Sequence, residues 1–287
     1  MTSFNALRPN APIGVFDSGV GGLSVLQALR AALPGEDIIY LADSAHAPYG
    51  ERSHEFIEQR TVAIGLYLRQ AFQVKLLVVA CNTATAVGVH ALRSAHPGWP
   101  VVALEPALRT AAQRTRTGHA GVLATRATVS SAKYAELKRA VAAEFHGISS
   151  IDIACDGLAA AIEEAALTGN DAQARNLLER YLSALGPIGT HAGAIDTIVL
   201  GCTHYPLLSH AIESMVGHSI TLVESGPPVA RQAARLLHAT GLLRYPVKSE
   251  ISSTGQLTLV ATGTTATLQA AAQRWLGVER AQVMQTS

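Results

Sequence analysis

The chain has 287 residues, 48% of them hydrophobic and 15% charged, with a formal net charge of +1. A composition this balanced gives no surface field for a polyanion such as nucleic acid, and no apolar run approaches the roughly 18 residues that span a bilayer. The length suffices to bury one large core or two of ordinary size, and two domains are expected.

Met1 to Asn10 holds no apolar stretch of the secretory kind, so a soluble, cytoplasmic protein is expected. Three cysteines are an odd number and no C-x-x-C spacing occurs. That argues against a disulfide framework and a structural zinc site, and for reduced thiols.

Apolar periodicity predicts strands alternating with helices. Ile13 to Phe16 reads as a strand and Gly21 to Leu33 as a helix stopped by Pro34-Gly35. Asp37 to Leu41 is strand-like, Pro48-Tyr49-Gly50 a loop, and Ser53 to Gln73 a helix that Ser53 can cap. Leu76 to Ala80 follows as strand, Thr85 to Ser94 as helix and Val101 to Leu104 as strand. The pattern then restarts. Gly121 to Ala124 is a strand, Ser131 to Phe145 a helix, Ser150 to Ala154 a strand, Leu158 to Leu167 and Ala172 to Leu185 helices, and Thr197 to Leu200 a strand. Thr221 to Glu224, helix Pro228 to Thr240 and strand Leu257 to Val260 could complete either half. Such alternation is the signature of an α/β fold, here of two similar parallel-sheet domains.

Cys81 and Cys202 occupy matching settings: each ends a short aliphatic run and is followed by polar residues, Asn82-Thr83 and Thr203-His204. A run of that kind is a buried parallel strand emerging at its carboxyl edge, where open α/β sheets bind ligands. Two thiols so presented suggest two half-sites facing one substrate. Each lies near a helix N-terminus, which predicts a thiol pKa below the free value of about 8.5. His204 can exchange a proton with Cys202 or serve as a hydrogen-bonded structural histidine. Cys155, with no companion base, reads as a small hydrophobe.

Asp17-Ser18-Gly19-Val20-Gly21-Gly22 follows the first strand and opens a helix. Its glycines would let backbone amides approach an anion, or would merely pack helix on sheet. A dinucleotide fingerprint needs a third glycine where Ser24 stands. Asp17 either orients an ammonium group, accepts a proton or caps the helix. Ser18, Asn82, Thr83 and Thr203 add neutral donors suited to a small zwitterion.

Paired thiols serve disulfide exchange, metal binding or acid/base work. Exchange wants adjacent sulfurs, and a metal wants two more soft ligands where only His204 is near. Acid/base work on the two faces of a carbon suits opposed half-sites. A pyridoxal phosphate enzyme needs a Schiff-base lysine. The four lysines are Lys75, at the amino edge of its strand, and Lys133, Lys138 and Lys248 in helix or loop contexts without a phosphate loop.

Phe16 to Ser24, Pro48 to Ser53, Ala80 to Ala84 and Gly201 to Leu208 resemble the aspartate/glutamate racemase family, and weaker similarity runs from Pro12 to Gly277. The resemblance implies two α/β domains with the active site between them, expected at 1–105 with 223–287 and at 106–222. It further implies interconversion of L- and D-glutamate without any cofactor or metal, for bacterial peptidoglycan synthesis.

By the same resemblance Cys81 and Cys202 would be the two bases, Asp17 would assist Cys81, His204 would assist Cys202, and Glu163 would support His204. Asp17-Ser18, Tyr49-Gly50, Asn82-Thr83 and Thr203-His204 would bind substrate, with weaker contacts from Thr125 and Thr128. Backbone amides around Ser18, Asn82 and Thr203 would hold the α-carboxylate. The pattern departs at Asp156-Gly157, where a proline is usual after the cysteine, at Glu51 and at Gly263-Thr264-Thr265. Oligomeric arrangement varies in the family, and a homodimer is one form it takes.

Rival readings are an aspartate racemase, a one-thiol decarboxylase or isomerase, and a two-lobed amino-acid-binding protein. A one-thiol enzyme would lack one cysteine segment, and a binding protein needs neither. Glutamate and aspartate differ by one methylene, worth only about 1–3 kcal/mol of discrimination.

Overall fold

The computed structural model describes residues 7–244, 254–278 and 282–286. Met1 to Ala6 and Lys248 therefore lie outside the described residues. Among these, the strands in chain order are β1 (Ile13–Asp17), β2 (Ile38–Ala42), β3 (Leu76–Val79), β4 (Val101–Ala103), β5 (His119–Ala124), β6 (Ser149–Ala154), β7 (Thr197–Gly201), β8 (Thr221–Val223), β9 (Leu257–Thr262) and β10 (Val283–Thr286). They form two sheets, in the orders β10-β9-β2-β1-β3-β4 and β6-β5-β7-β8. Every pairing is parallel.

Parallel strands covered on both faces must be apolar on both, and these are. Val15, Tyr40 and Val78 point into one buried cluster of the larger sheet, while their neighbours Phe16, Leu41, Leu77 and Val79 point into the other. The smaller sheet repeats this, with Leu123, Ile198 and Leu200 on one face and Val122 and Val199 on the other.

The segment that sequence left open divides between the sheets. β8 pairs with β7 in the smaller sheet. Helix Gly226–Ala239 then returns to the larger one and packs on helix Leu23–Ala32, and β9 pairs with β2. Helices Leu108–Arg114, Ser209–Val216 and Ala266–Leu276 and strand β10 complete the elements beyond those expected from periodicity. The last of these helices packs on Leu158–Thr168 of the other lobe, where Arg274 Nη1 donates to Ala165 O at 3.1 Å.

Local signals hold where their chemistry is local. Ser53 caps helix His54–Phe72 by accepting from Phe56 N at 3.3 Å, and Gln73 ends it in the left-handed region at φ 53. The helix expected over Thr85 to Ser94 is instead two pieces, Asn82–Val87 and Val89–Ala95, meeting at Gly88. The first begins directly after Cys81, so Asn82 and Thr83 form its first turn. At Gly88 a Cβ would lie 2.6 Å from Thr61 Cβ, so the close approach of the neighbouring helix requires glycine there. Gly157, where a proline is usual in the family, takes φ 76 and starts helix Leu158–Thr168 cleanly, so Glu163 is carried to the site.

Lys75 sits buried at the amino edge of β3, paired with Glu36. Lys133 and Lys138 pair with Glu105 and Asp152 at 3.2 and 2.7 Å.

Candidate active site between the sheet edges

A cleft of about 510 Å³, counted with its mouth, lies where the carboxyl ends of both sheets meet. Ser18, Cys81, Asn82 and Thr83 line it from the larger sheet, and Cys202, Thr203 and His204 from the smaller one. Tyr49 and Gly50 form one wall, with Thr125 opposite. Asp17 and Glu163 stand behind this lining and act on it through hydrogen bonds. Thr128 is a step further back, with its hydroxyl 2.9 Å from that of Thr125.

Asp17 is fully buried at the end of β1, and protein donors occupy both its oxygens. Oδ1 accepts Ser18 N at 2.6 Å and Ser18 Oγ at 3.3 Å; Oδ2 accepts Thr203 Oγ1 at 3.0 Å and the Gly22 amide. Asp17 thus caps the following helix and ties the two lobes together. Its link to Cys81 runs through the Ser18 hydroxyl, which receives the Cys81 thiol at 3.7 Å. The Ser18 amide, expected to hold a substrate carboxylate, is committed to Asp17 instead. Burial raises the Asp17 carboxyl above its ordinary value, and the charge of Glu163 adds to the rise against the opposing pull of His204 and the Thr203 hydroxyl.

Cys81 corrects a second expectation. It does cap helix Asn82–Val87, with Sγ accepting Ala84 N at 3.4 Å. That bond favours the thiolate, yet burial and the nearby charge of Asp17 outweigh it and push the thiol well above the free value. A one-turn cap cannot offset full desolvation. Cys81 therefore rests as a thiol.

On the opposite side Cys202 Sγ lies 3.6 Å from His204 Nδ1, and His204 Nε2 lies 2.7 Å from Glu163 Oε1. Burial alone would strip the imidazole of its second proton. Hydrogen bonds and charge from Cys202 and Glu163 overcome that and hold it well above the ordinary histidine value, so the ring is an imidazolium with a donor toward each neighbour.

The glycine segment also finds its anion within the chain. Val20 N donates to Glu163 Oε1 at 2.7 Å across the lobes. A Cβ on Gly19 would lie 2.8 Å from Glu163 Cδ, and one on Gly21 would lie 2.7 Å from His204 Cγ. The cradle read from the sequence is a socket for the opposing lobe's carboxylate and imidazole rather than for a phosphate.

Asn82 is 4% exposed, and neither its Oδ1 nor its Nδ2 has a partner within the protein. Two unpaired polar atoms at a cleft wall are costly unless a ligand meets them. Thr83 Oγ1 and Thr125 Oγ1, 3.1 Å apart, join the lobes on that side.

Cleft residues not foreseen are Arg126, Cys155, Asp156 and Glu51. Cys155 and Asp156 follow the end of β6, so the edge rule applied to Cys81 would have found them. Cys155 is inward-turned, donates weakly to Ile153 O, and burial pushes its thiol up to about 12. Arg126 and Asp156 pair at the mouth.

The framework and cleft define a small-molecule enzyme of the parallel α/β class, with its site between two sheet edges. Comparison with known proteins narrows that class: the chain belongs to the Asp/Glu/Hydantoin racemase family, whose model matches residues 13–233. It is 47% identical over 234 residues to the glutamate racemase of Pseudomonas syringae pv. tomato, covering 82% of this chain and 81% of that one. Among solved structures it resembles glutamate racemase RacE1 of Bacillus anthracis, with a TM-score of 0.80 at 31% identity over 98% of each chain. It also resembles the Francisella tularensis glutamate racemase in complex with D-glutamate, with a TM-score of 0.77 at 27% identity, covering 97% of this chain and 98% of that one. Among the described residues no helix is long and apolar enough to cross a membrane.

Proposed function

We propose that this chain interconverts L- and D-glutamate by proton transfer between two thiols, supplying D-glutamate for peptidoglycan. The observation that carries the reading is the placement of Cys81 and Cys202 on carboxyl edges of different sheets, lining one small polar cleft. One sulfur removes the α-proton from one face while the other delivers a proton to the opposite face. The domains at 1–105 with 223–287 and at 106–222 would then each contribute one thiol.

Roles follow from the partners of each group. Cys81, resting as a thiol, is poised as the acid of one direction, and Asp17 acts on it through Ser18. His204, protonated and braced by Glu163, supplies Cys202 with a proton or stabilises charge developing on it. An amino-acid α-proton is a very weak acid, so negative charge building on the substrate carboxylate must be met by fixed donors in a site closed to water. The Asn82 side chain and the first-turn amides of Asn82 and Thr83 stand where they can do this. The substrate is a small amino acid held as a zwitterion.

The direct test is optical. Purified protein, without added cofactor, is expected to erase the circular dichroism of D-glutamate and of L-glutamate at comparable rates. Binding of either enantiomer with no change of signal would leave an amino-acid-binding protein instead.

A pH dependence follows with a definite sign. The enantiomers have equal free energy, so kcat/KM is the same for both at every pH. Turnover needs one sulfur protonated, and loss of the Cys81 proton leaves that face without an acid. Because burial and the Asp17 charge raise Cys81, the alkaline fall of kcat/KM should come above the free-cysteine value of about 8.5. Asp17→Asn removes the charge and should move that fall to lower pH, besides slowing turnover. The comparison of variant with wild type cancels the titration of the substrate itself. A limb that stays put, or moves up, would show that Asp17 does not control the Cys81 proton.

A further inference from the structure

Tyr49 and Gly50 form a cleft wall, but they sit on an irregular segment between β2 and helix His54–Phe72, with only two short turns of its own, Ser44–His46 and Tyr49–Glu51. Something outside the segment must hold it. The Tyr49 phenol, 1% exposed, donates its only proton to Asp43 Oδ2 at 2.6 Å, so what this residue offers the cleft is ring edge and backbone.

Asp43 is fully buried directly beyond β2 and takes four further contacts. Arg60, from the next helix, reaches it with Nε at 2.9 Å and Nη2 at 2.7 Å. Thr262, the last residue of β9, donates to it from Oγ1 at 2.7 Å, and His46 Nδ1 lies 3.0 Å away. Thr262 Oγ1 also receives Ala45 N at 3.1 Å, which ties the start of the same segment to β9. Asp43 N bonds Asp17 O at 2.9 Å, so this hub and the catalytic edge share one backbone link. Burial alone would raise the Asp43 carboxyl, and the donors of Arg60, Tyr49 and Thr262 reverse that and hold it below its ordinary value.

We infer that Asp43, braced by Arg60 and Thr262, is a positioning residue for substrate binding. It pins the Tyr49 phenol and so holds the Tyr49-Gly50 wall against Thr125 at the distance a small amino acid requires. Gly50 marks how tight that distance is, since a Cβ there would lie 3.3 Å from Thr125 Cβ. The bidentate Arg60 fork makes the hub directional, which a lysine cannot reproduce. None of the three residues lines the cleft. Loss of the hub should therefore weaken binding of substrate and transition state alike.

This inference rests on the racemase reading, and the experiment separates the two. D-Glutamate racemisation is measured for wild type, Asp43→Asn, Arg60→Ala, Arg60→Lys and Thr262→Val, with hydrogen exchange of residues 44–52 followed on the same samples. Asp43→Asn and Arg60→Ala should raise KM by about tenfold or more with kcat held within about threefold, and should speed exchange across the segment. Arg60→Lys should fall between Arg60→Ala and wild type.

KM unchanged in folded Asp43→Asn and Arg60→Ala, or kcat lost with KM unchanged, would overturn the positioning role. Should Asp43→Asn fail to fold, the milder Arg60→Lys and Thr262→Val decide by the same measure, and an unchanged KM in both overturns it too. If wild type leaves glutamate unracemised, the racemase reading fails, and exchange that stays slow in residues 44–52 of the variants would separately sink the hub.

Discussion

Cys81→Ser and Cys202→Ser are each expected to lose about a thousandfold or more of racemisation, because a serine hydroxyl is a far weaker acid than a thiol and positioned acid/base groups contribute on the order of 10²–10⁴ each. Their losses should differ in kind. With one thiol gone, the other can still take the α-proton that faces it and return a deuteron to the same face. In deuterated water, followed by NMR, Cys81→Ser should thus exchange one enantiomer preferentially without inverting it, and Cys202→Ser the other. The two sulfurs belong to different sheets and lack a common protein partner, so either can be replaced without unseating the other. Both variants racemising at the wild-type rate would make the cysteine pair structural and the two-thiol mechanism wrong.

The second large effect should come from a single methyl group. Gly21→Ala and Gly19→Ala are expected to reduce kcat by about a hundredfold or more, since displacing a catalytic group by an ångström is enough for that. At Gly21 the new Cβ would meet the His204 ring, a rigid group with no flexible end to swing away, and at Gly19 it would meet the Glu163 carboxylate. Neither glycine lies in the left-handed region, so alanine should fit the backbone and the melting temperature should fall only slightly. Gly35→Ala, with nothing within 4 Å of its Cβ, is the control and should behave as wild type. Full activity in Gly21→Ala would show that the His204 ring need not dock in the glycine socket. A large fall in melting temperature would mark the socket as a folding contact instead.

Much of the scaffold is readable from the chain alone, because it depends on neighbours in sequence. A run such as Leu76 to Val79, apolar at every position, can only be a strand covered on both faces, and Cys81 follows it to the edge where such sheets bind ligands. Ser53 as a cap rests on one hydrogen bond three residues long. The helix over Thr85 to Ser94 failed at Gly88 for the opposite reason: the methyl-sized gap that splits it is set by Thr61, on another helix.

Among the site residues the same division holds. The cysteines, Asn82, Thr83, Thr203 and His204 follow strand ends and could be placed from their own segments. Glu163 lies inside a helix and was reached through the family pattern. Arg126 and Asp156, at the mouth, were passed over because nothing in their own segments shows that two loops close on one another there.

What the sequence by itself determined was the alternation of strands and helices, the matched thiols at two strand ends, and the family. Only the tertiary structure decided that β8 joins the smaller sheet while the next helix crosses back to the larger, since chain direction allows either and burial of both faces selects one. It alone showed that the glycine turn receives Glu163 and His204 and that Asp43 anchors Tyr49. It also reversed the direction in which Cys81 titrates. A helix start is written in a few adjacent residues, but desolvation is imposed by everything packed around the sulfur, and here that is the stronger effect.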